Sequence, residues 1–383
     1  MTGGSLSGLL GRYRCIVGVA VAILLLFRCA PVHAQEEAPE TGAAGAVLIE
    51  ANTRMVLMAN EAHKKLPMAS TTKIMTALVA IEHCSLDEMA EVPAEAYGAE
   101  GSSMYLQKGE KLSMRDLLYG LMLVSGNDAA ITIAVHVGGS VAGFAALMNA
   151  KAKELGALNT NFVTPNGLPD DEHYTTAYDL AIITAAAMRQ ETFSEIVSAT
   201  YYRTTTGTVP RTLKNKNKIL WEYPGGCGVK TGYTKAAGKC LVFAAERDGM
   251  MLIGVVLNCS AMFESAQAML DYGFDQYELA TVVKKGEVVA RISVDNGMKN
   301  ALALVAKEDI IIPIKKGESA ALSTRVECPA LVAAPVEEGT AIGRAYVLSG
   351  TKALASTELI AEETVDSRSY FEWLKKLSGR WTA

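Results

Sequence analysis

The sequence predicts an α+β fold in which helices flank an antiparallel sheet, a helical insert lies beside it, and a small all-β domain follows. Two observations predict this arrangement. Strand-like apolar runs come both before and after a long helical region, which favours one sheet built from both ends of that segment. After residue 277, short alternating runs separated by turn residues replace the helical spacing, which is typical of a separate β domain.

The first domain is predicted to span residues 46–277 and to follow a flexible acidic lead-in at 35–45. Its sequence pattern predicts two strands, a helical region, three more strands and a final helix. These elements lie at Ala46–Glu50, Met55–Ala59, Pro67 to about Lys153, Gly228–Thr231, Cys240–Glu246, Met251–Leu257 and Phe263 to about Tyr277. Ser113 and Asp116 are spaced as a helix-capping box, and Asp248-Gly249 predicts a hairpin turn.

The second domain is predicted at residues 278–363 as a small β domain. Its strand-like runs are Val288–Val294, Ala301–Val305, Ile310–Ile314, Ile342–Leu348 and Ala353–Ile360. No nucleophile lies beside a base in this pattern. We therefore interpret the domain as a spacer or stabilising module.

The N-terminus has the features of a secretory signal at residues 1–34. Arg12 and Arg14 precede an apolar run from Cys15 to Phe27, and Val32-His33-Ala34 offers small residues two apart for cleavage. The apolar run is shorter than the ~20 residues that span a bilayer. The sequence thus predicts export to the outer face of the cytoplasmic membrane or the cell-wall space.

The C-terminus, residues 364–383, is predicted to form an amphipathic helix. Tyr370, Leu374, Leu377 and Trp381 fall on one helical face, and basic residues outnumber acidic ones around them. Such a helix lies in a membrane interface, so residues 367–383 are expected to bind a membrane surface. The alternative is a helix docked on the protein's own surface.

Composition excludes several classes of function. The formal net charge of −5 argues against a nucleic-acid partner. After removal of the signal, five irregularly spaced cysteines remain, an odd number that does not indicate a disulfide framework. The histidines show no metal-ligand spacing, and the sequence has no G-x-S-x-G or H-E-x-x-H motif. We therefore predict neither a metal nor a cofactor.

A serine–lysine pair carries the candidate chemistry. Ser70 and Lys73 open a helical run, and residues three apart lie on one helical face, so the amine can reach the hydroxyl. A buried lysine near other cations loses its proton more easily and can act as a base for serine. The S-x-x-K spacing alone is weak evidence, because it recurs at Ser349–Lys352 in a β context.

Two further motifs strengthen this interpretation. Ser125-Gly126-Asn127 is the only S-x-N in the chain and lies at a break between helical runs. Lys230-Thr231-Gly232 is the only K-T-G and lies at the end of a predicted strand. In this order, S-x-x-K, S-x-N and K-T-G resemble the signature of penicillin-binding proteins and class A β-lactamases.

At these residues the chain resembles a low-molecular-mass penicillin-binding protein, a serine-type D-alanyl-D-alanine carboxypeptidase of peptidase family S11. The resemblance covers about Ala43 to Tyr277. It implies that residues 46–277 form a β-lactamase/transpeptidase-like catalytic domain. It also implies an enzyme that removes the terminal D-alanine from peptidoglycan stem pentapeptides and takes β-lactams as covalent inhibitors.

The resemblance implies a catalytic role for three side chains. Ser70 would attack the peptide carbonyl, Lys73 would take its proton, and Ser125 would relay a proton to the leaving D-alanine. Asn127 would hold Lys73 and hydrogen-bond the substrate. The backbone N–H groups of Ser70 and Tyr233 would form the oxyanion hole.

The same resemblance implies a substrate-binding strand. Lys230 would supply positive charge, Thr231 and Thr234 would bind the terminal carboxylate, and Gly232 would let the substrate backbone lie against the strand. Residues 258–261 lack the arginine that some relatives place near that carboxylate. A nearby basic run could supply this positive charge instead, and the alternative is that the run is only a solvated loop. Its members are Arg211, Lys214, Lys216 and Lys218.

Other functions remain open for such a fold. A class A β-lactamase needs a loop glutamate that activates the deacylating water, but residues 164–169 contain none, and Asp170 and Asp171 are the nearest acids. A D,D-endopeptidase would use the same residues. A non-enzymatic penicillin-sensing or wall-binding protein would not need the intact motifs.

Overall fold

The structure is a computed structural model that describes residues 37–317 and 322–369. The predicted signal at 1–34 and residues 370–383 of the predicted C-terminal helix lie outside the described residues. Within the described residues, helices and strands alternate up to residue 276, and strands dominate afterwards.

The described helices all belong to the first domain. They are α1 (Lys73–His83), α2 (Met114–Leu123), α3 (Asn127–Gly138), α4 (Val141–Leu155), α5 (Ala177–Met188), α6 (Glu191–Ser198), α7 (Ile219–Glu222) and α8 (Met262–Gln276). The strands of this domain are β1 (Gly45–Glu50), β2 (Val56–Asn60), β3 (Met89–Glu91), β4 (Lys111–Ser113), β5 (Tyr201–Arg203), β6 (Thr212–Lys214), β7 (Gly226–Thr234), β8 (Gly238–Arg247) and β9 (Met250–Leu257).

The central sheet joins the two ends of the first domain, as predicted. Its five strands are antiparallel and run in the order β2-β1-β9-β8-β7. β8 and β9 are connected at Asp248 and Gly249, whose φ angles of +50° and +78° match a type I′ hairpin turn. β7, which carries the K-T-G motif, is an edge strand of this sheet.

Helices cover both faces of the central sheet. Successive residues of a strand point to opposite faces, so Val47 and Ile49 pack into the core of the helical insert while Leu48 packs into the core beneath α8. α5 lies against the insert side of the sheet and is buried along its whole length. This burial on both faces explains why β1 is a continuous apolar run.

The start of α1 differs slightly from the helical prediction. Residues Ala69–Thr72 form a turn of 3₁₀ helix, and α1 begins at Lys73. The capping box of α2 is confirmed, because Ser113 Oγ accepts a hydrogen bond from the Asp116 backbone N–H at 3.2 Å. The S-x-N motif does lie at a break, between α2 and α3.

The second domain is all β, and its five predicted runs are strands. Its strands are β10 (Tyr277–Val283), β11 (Val288–Asp295), β12 (Ala301–Ala306), β13 (Ile310–Lys315), β14 (Leu322–Glu327), β15 (Leu331–Ala333), β16 (Ala341–Ser349) and β17 (Lys352–Ala361). Six of them form a sheet in the order β14-β16-β17-β12-β11-β15, and β10 pairs with β13. Three strands were not predicted: β10 is mostly half-buried, β14 is almost wholly exposed, and β15 has only three residues.

The two terminal segments differ from their predictions where the structure describes them. Thr41 and Ala43 are buried, and the Thr41 carbonyl accepts a hydrogen bond from Ser265 Oγ at 3.0 Å. Residues 41–44 are therefore packed rather than a free lead-in. Val365 and Ser367 pair with Val336 and Gly297, so residues 364–369 are extended rather than helical.

Among the described residues, no single helix has both the length and the apolar character to cross a membrane. α3 and α4 meet that criterion only when taken together, and they are bent by 83°. The cysteines of this part of the chain are free thiols: Cys84, Cys227, Cys240, Cys259 and Cys328. Cys240 and Cys259 are buried, and the other three are partly exposed.

Candidate active site

The three sequence motifs converge on one cleft of about 480 Å³ between the helical insert and the edge of the sheet. Each motif contributes a residue to its wall. The lining residues are Ser70, Ser102, Ser125, Lys216, Thr231, Gly232, Tyr233, Lys239, Met262 and Phe263. Lys73, Asn127 and Lys230 lie buried behind this wall.

Ser70 and Lys73 are in direct contact. Ser70 lies on the 3₁₀ turn, Lys73 is the first residue of α1, and their Oγ and Nζ atoms are 3.0 Å apart. Lys73 is fully buried, and its Nζ also donates to Asn127 Oδ1 at 2.7 Å and to the Asn166 carbonyl at 2.6 Å. Two acceptors, Asn127 Oδ1 and the Asn166 carbonyl, therefore hold the amine against the serine.

The surroundings of Lys73 favour its neutral form. Burial, followed by the positive charge of Lys230, holds the pKa of Lys73 well below its ordinary value. A neutral amine has two N–H groups, which the Asn127 and Asn166 oxygens accept. The remaining lone pair can accept the Ser70 hydroxyl proton, which is the arrangement that a general base requires.

Besides Lys73, three lysines lie at or behind the cleft wall: Lys216, Lys230 and Lys239. Lys230 on β7 is buried, and burial together with the charge of Lys216 lowers its pKa to about 7. Lys216 Nζ donates to the Val124 carbonyl at 3.1 Å and is exposed to the cleft. The cleft therefore has a positive wall, which suits an anionic ligand.

The S-x-N segment places a serine and an amide on the opposite wall. Ser125 has a left-handed backbone, with φ +64°, and its buried Oγ has no hydrogen-bond partner among the described residues. Strained backbone and an unpaired buried hydroxyl are both typical of functional sites. The Asn127 amide is oriented, since its nitrogen donates to the Glu100 carbonyl while its oxygen accepts from Lys73.

The edge strand β7 approaches the 3₁₀ turn closely. A Cβ atom at Gly232 would lie 3.1 Å from the backbone nitrogens of both Ser70 and Thr71. Gly232 therefore allows the close contact between the strand and the serine turn, in addition to the room for the substrate backbone that the family resemblance implies. An edge strand also leaves backbone groups free to pair with an extended peptide.

The remaining residues of the strand have different environments. Thr231 lines the cleft, and the Tyr233 side chain is 66% exposed. Thr234 Oγ accepts a hydrogen bond from the Ala237 backbone N–H at 3.0 Å, so it caps the turn between β7 and β8 and keeps its own proton for donation. Thr234 is not among the residues that line the cleft.

A loop at residues 164–169 closes the back of the site. Its Asn166 carbonyl accepts from Lys73, and the Pro165 carbonyl accepts from Thr76 Oγ1 at 2.6 Å. Gly167 has φ +83°, and a Cβ there would lie 1.9 Å from the Ala69 carbonyl oxygen, so the loop packs directly on the serine turn. This loop has no glutamate.

His173 fastens this loop to the serine turn. Its Nε2 lies 2.8 Å from Thr72 Oγ1, and its Nδ1 accepts from the Val163 backbone N–H at 3.0 Å. An acceptor at Nδ1 requires the proton to be on Nε2 of a neutral ring. Burial supports this form and lowers the pKa of His173 to about 4.

The basic run at 211–218 splits into four separate environments. Arg211 pairs with the buried Glu110 at 2.8 Å, Lys214 lies 5.5 Å from the centre of the Tyr201 ring, and Lys218 pairs with Glu222. Of the four, Lys216 alone lines the cleft.

Several residues of the site were not predicted from the sequence. Ser102, Lys239, Met262 and Phe263 line the cleft, and the Asn166 carbonyl and His173 support it. These residues come from loops, from the start of α8 and from strand β8, which meet only in the folded chain. A backbone carbonyl such as that of Asn166 leaves no signal in the residue types.

These observations define a class of protein. A buried lysine held against a serine hydroxyl, beside an edge strand that carries K-T-G, in an α+β domain followed by a β domain, is the arrangement of the penicillin-binding serine peptidases. Comparison with known proteins identifies the family within this class.

Two family models match the chain. The model for D-alanyl-D-alanine carboxypeptidase, peptidase S11, matches residues 32–261, and that for the penicillin-binding protein 5 C-terminal domain matches residues 277–367. The chain is 32% identical to D-alanyl-D-alanine carboxypeptidase DacF of Bacillus subtilis, over 96% of this chain and 99% of that protein. It is also 32% identical to DacC of Escherichia coli, over 92% and 93% of the two chains.

Solved structures agree. Penicillin-binding protein 5 from Haemophilus influenzae superposes with a TM-score of 0.73 at 30% identity, covering 87% of this chain and all of that chain. Penicillin-binding protein 3 from Streptococcus pneumoniae gives a TM-score of 0.77 at 25% identity, covering 86% of this chain and all of the other. The chain belongs to the peptidase S11 family of D-alanyl-D-alanine carboxypeptidases and has the penicillin-binding fold. The predicted family, fold class and function are confirmed.

Proposed function

We propose that Ser70 is the nucleophile and Lys73 the general base of a D-alanyl-D-alanine carboxypeptidase that trims peptidoglycan stem pentapeptides. The observation that carries this proposal is the 3.0 Å contact between Ser70 Oγ and the Nζ of a fully buried lysine. The lowered pKa of Lys73 supports its role as a base at neutral pH.

In the proposed acylation, the Ser70 hydroxyl loses its proton to Lys73 as its oxygen attacks the carbonyl between the two terminal D-alanines. The oxyanion is stabilised by the backbone N–H groups of Ser70 and Tyr233. The proton then reaches the leaving D-alanine nitrogen through Ser125, whose unpaired buried hydroxyl is free for this exchange. The peptide C–N bond breaks, and free D-alanine leaves behind a Ser70 ester.

Deacylation consumes one water molecule. Lys73 again accepts a proton as the water attacks the ester carbonyl, and the shortened stem peptide leaves with a new carboxylate while Ser70 regains its proton. Asn127 keeps Lys73 in place through the 2.7 Å hydrogen bond during both half-reactions.

The positive wall accounts for the preference for a C-terminal carboxylate. Lys230 supplies charge, and the hydroxyl groups of Thr231 and Thr234 donate hydrogen bonds, next to the edge strand that pairs with the substrate backbone. Because residues 258–261 contain no arginine, the charge of Lys216 completes carboxylate recognition.

β-Lactams acylate the same serine in this proposal. The loop at 164–169 offers a carbonyl to Lys73 but no glutamate to activate water, which favours slow release of the penicilloyl group. Labelled penicillin is therefore expected to remain on Ser70. Rapid release of hydrolysed penicillin would indicate a β-lactamase instead.

The direct test measures D-alanine release from a diacetyl-Lys-D-Ala-D-Ala peptide by the purified protein. Wild type is expected to release D-alanine and Ser70→Ala to release none. Ser349→Ala is the matched control, since Ser349 and Lys352 form the second S-x-x-K but face each other across a hairpin. Equal release from wild type and Ser70→Ala would reject the nucleophile, and no release from wild type would favour a sensing role.

We further propose that residues 1–34 direct export and that residues 367–383 attach the enzyme to a membrane surface. The basic and apolar pattern of each segment supports this. Flotation with anionic lipid vesicles tests the attachment by comparing the full chain with one that ends at Asp366. Equal flotation of both would reject it.

A further inference from the structure

A second cluster of chemically active side chains lies at the far ends of the helices that carry the active site. Cys84 follows the last residue of α1, Glu88 lies in the loop before β3, and His136 is in the last turn of α3. Their potential ligand atoms all lie within 4.8 Å of one another. His136 Nε2 and a Glu88 carboxylate oxygen are 2.8 Å apart.

The backbone holds these three residues in place. The Cys84 N–H donates to the Ala80 carbonyl at 3.0 Å, and the Glu88 N–H donates to Ser85 at 3.1 Å, which forms a turn. The Glu88 carbonyl accepts from the Met114 N–H at 2.8 Å. The ligand atoms therefore come from three fixed elements rather than from a free loop.

The ligand types fit one cation well. A thiolate, an imidazole and a carboxylate together suit Zn²⁺, which binds such ligands at about 2.0–2.3 Å with tetrahedral geometry. We propose that Cys84, Glu88 and His136 form a Zn²⁺ site with a water molecule as the fourth ligand. Cys84 and His136 are partly exposed and the Glu88 side chain is 46% exposed, so the ion and its water have access from solvent.

Binding exchanges one set of bonds for another. Cys84 loses its thiol proton to solvent as the S–Zn bond forms, His136 binds through neutral Nε2, and Glu88 exchanges its contact with His136 for one with the metal. The separations between ligand atoms in such a site are about 3–4 Å, so small side-chain rotations are sufficient.

The position of the site gives it a structural role. Lys73 at the start of α1 and Asn127 at the start of α3 are already joined by a hydrogen bond. Cys84 and His136 lie about 17 Å and about 14 Å further along the same two helices, at a rise of 1.5 Å per residue. A Zn²⁺ ion here joins the C-terminal ends of α1 and α3, whose N-terminal ends carry Lys73 and Asn127. It therefore stabilises the two helices that position the active site.

The test uses the purified protein after removal of metal with a chelator. Titration with Co²⁺ is expected to give a thiolate-to-metal absorption band that saturates at one equivalent and that Zn²⁺ abolishes. Cys84→Ser is expected to remove the band, and His136→Gln to weaken Zn²⁺ binding by at least about tenfold. Cys328→Ser and His83→Gln are the matched controls, because neither residue belongs to the cluster.

A second readout needs only the wild-type chain. Bound Zn²⁺ should protect Cys84 from alkylation by iodoacetamide, as mapped by peptide mass spectrometry, while the labelling of Cys227 and Cys328 stays unchanged. The site is rejected if Cys84 is labelled equally with and without Zn²⁺, if no saturable binding is found, or if the controls lose binding as the cluster variants do.

Discussion

The two domains differ in where their ionisable side chains lie: the catalytic domain buries several of them, and the described ion pairs of the β domain are exposed. In the catalytic domain, the ionisable groups of Lys73, Lys230 and Glu110 are buried. Lys73 makes several hydrogen bonds, Lys230 donates to the Thr231 carbonyl, and Glu110 pairs with Arg211. In the β domain, the described ion pairs lie at the surface, such as Lys307 with Glu358. Burial of an ionisable group costs free energy unless the group is neutral or its charge is compensated. Burial favours the neutral form of Lys73, and Arg211 compensates the charge of Glu110, whereas the exposed pairs of the β domain carry no such cost.

The two S-x-x-K motifs, one in each domain, also differ in their structural surroundings. Around the start of α1, the spacing brings Lys73 Nζ to 3.0 Å from Ser70 Oγ inside the protein. In the β domain, Ser349 and Lys352 end and begin two paired strands on either side of Gly350-Thr351. Identical spacing therefore has a different meaning in a helix and in a hairpin, because a helix start places residues three apart on one face, whereas the hairpin places them on two paired strands.

The largest expected effect of this contrast is on acylation. Lys73→Ala should lower the rate of penicillin acylation by about 10³-fold, within the range for loss of a general base. Lys352→Ala, in the second motif, should leave the rate unchanged. The measurement is the rate of labelling with fluorescent penicillin, with thermal unfolding recorded for each variant. A folded Lys73→Ala protein that acylates at the wild-type rate would contradict the assignment of the base.

The next effect concerns stability. Burial opposes ionisation of Glu110, but hydrogen bonds from Arg211 and from two backbone N–H groups outweigh it and lower the pKa of Glu110 to about 2. Glu110→Gln leaves Arg211 without its anionic partner and should reduce the free energy of unfolding by about 3 kcal/mol.

Glu358→Gln is the matched change in the β domain, since Glu358 pairs with Lys307 and Arg344 in solvent. It should leave the urea midpoint unchanged, because exposed ion pairs contribute little. Urea unfolding of both variants tests the comparison between the domains. Similar losses in the two variants would show that burial does not separate them.

Acid should weaken the catalytic domain through His173. The folded-state pKa of about 4 lies below the ordinary 6.5, so the unfolded chain binds the additional proton first as the pH falls. Stability should therefore fall by up to about 1.4 kcal/mol per pH unit between pH 6.5 and 4. His173→Gln should flatten this dependence, whereas the β domain, residues 278–363, contains no histidine.

Urea midpoints measured across this pH range would check the histidine prediction. An unchanged slope in His173→Gln would assign the acid sensitivity to other groups. Activity gives an independent readout, since the Val163 and Thr72 contacts of His173 connect the loop at 164–169 to the serine turn.

The sequence predicted those parts of the molecule that depend on local spacing. The helix start at Ser70 to Lys73, the capping box at Ser113 and the hairpin at Asp248 each depend on a few neighbouring residues. Strand β14 was missed because nearly all of its residues are exposed, and β15 because it has only three residues. Their pairing with distant strands forms them, and no local pattern records it.

The candidate site was likewise predictable only where it depends on local sequence motifs. Three motifs placed the residues that carry recognisable side-chain chemistry, but the Asn166 carbonyl and the His173 contact with Thr72 arise from chain segments about 90 to 100 residues apart. The cluster of Cys84, Glu88 and His136 is another long-range arrangement, which only the contact between α1 and α3 creates. Spacing along the chain cannot reveal such groups.

The smallest expected effect is a shift in the pH profile of kcat/KM. Lys73 must be neutral, so the rate rises with pH through its pKa, and Lys230 must be charged, so the rate falls as the pH passes about 7. The charge of Lys216 lowers the pKa of both. Lys216→Met should therefore move both limbs of the profile to higher pH.

The controls for this shift compare buried with exposed surroundings. Lys218→Met removes a charge from the same loop, but Lys218 pairs with Glu222 in solvent, so both limbs should stay in place. Lys307→Met in the β domain should also leave them unchanged. If all three variants shifted the pH profile of kcat/KM equally, the shift would depend on the net charge of the protein and not on where the lysine lies. A shift confined to Lys216→Met would show that a cation matters to this enzyme only where burial lets its field reach the two lysines.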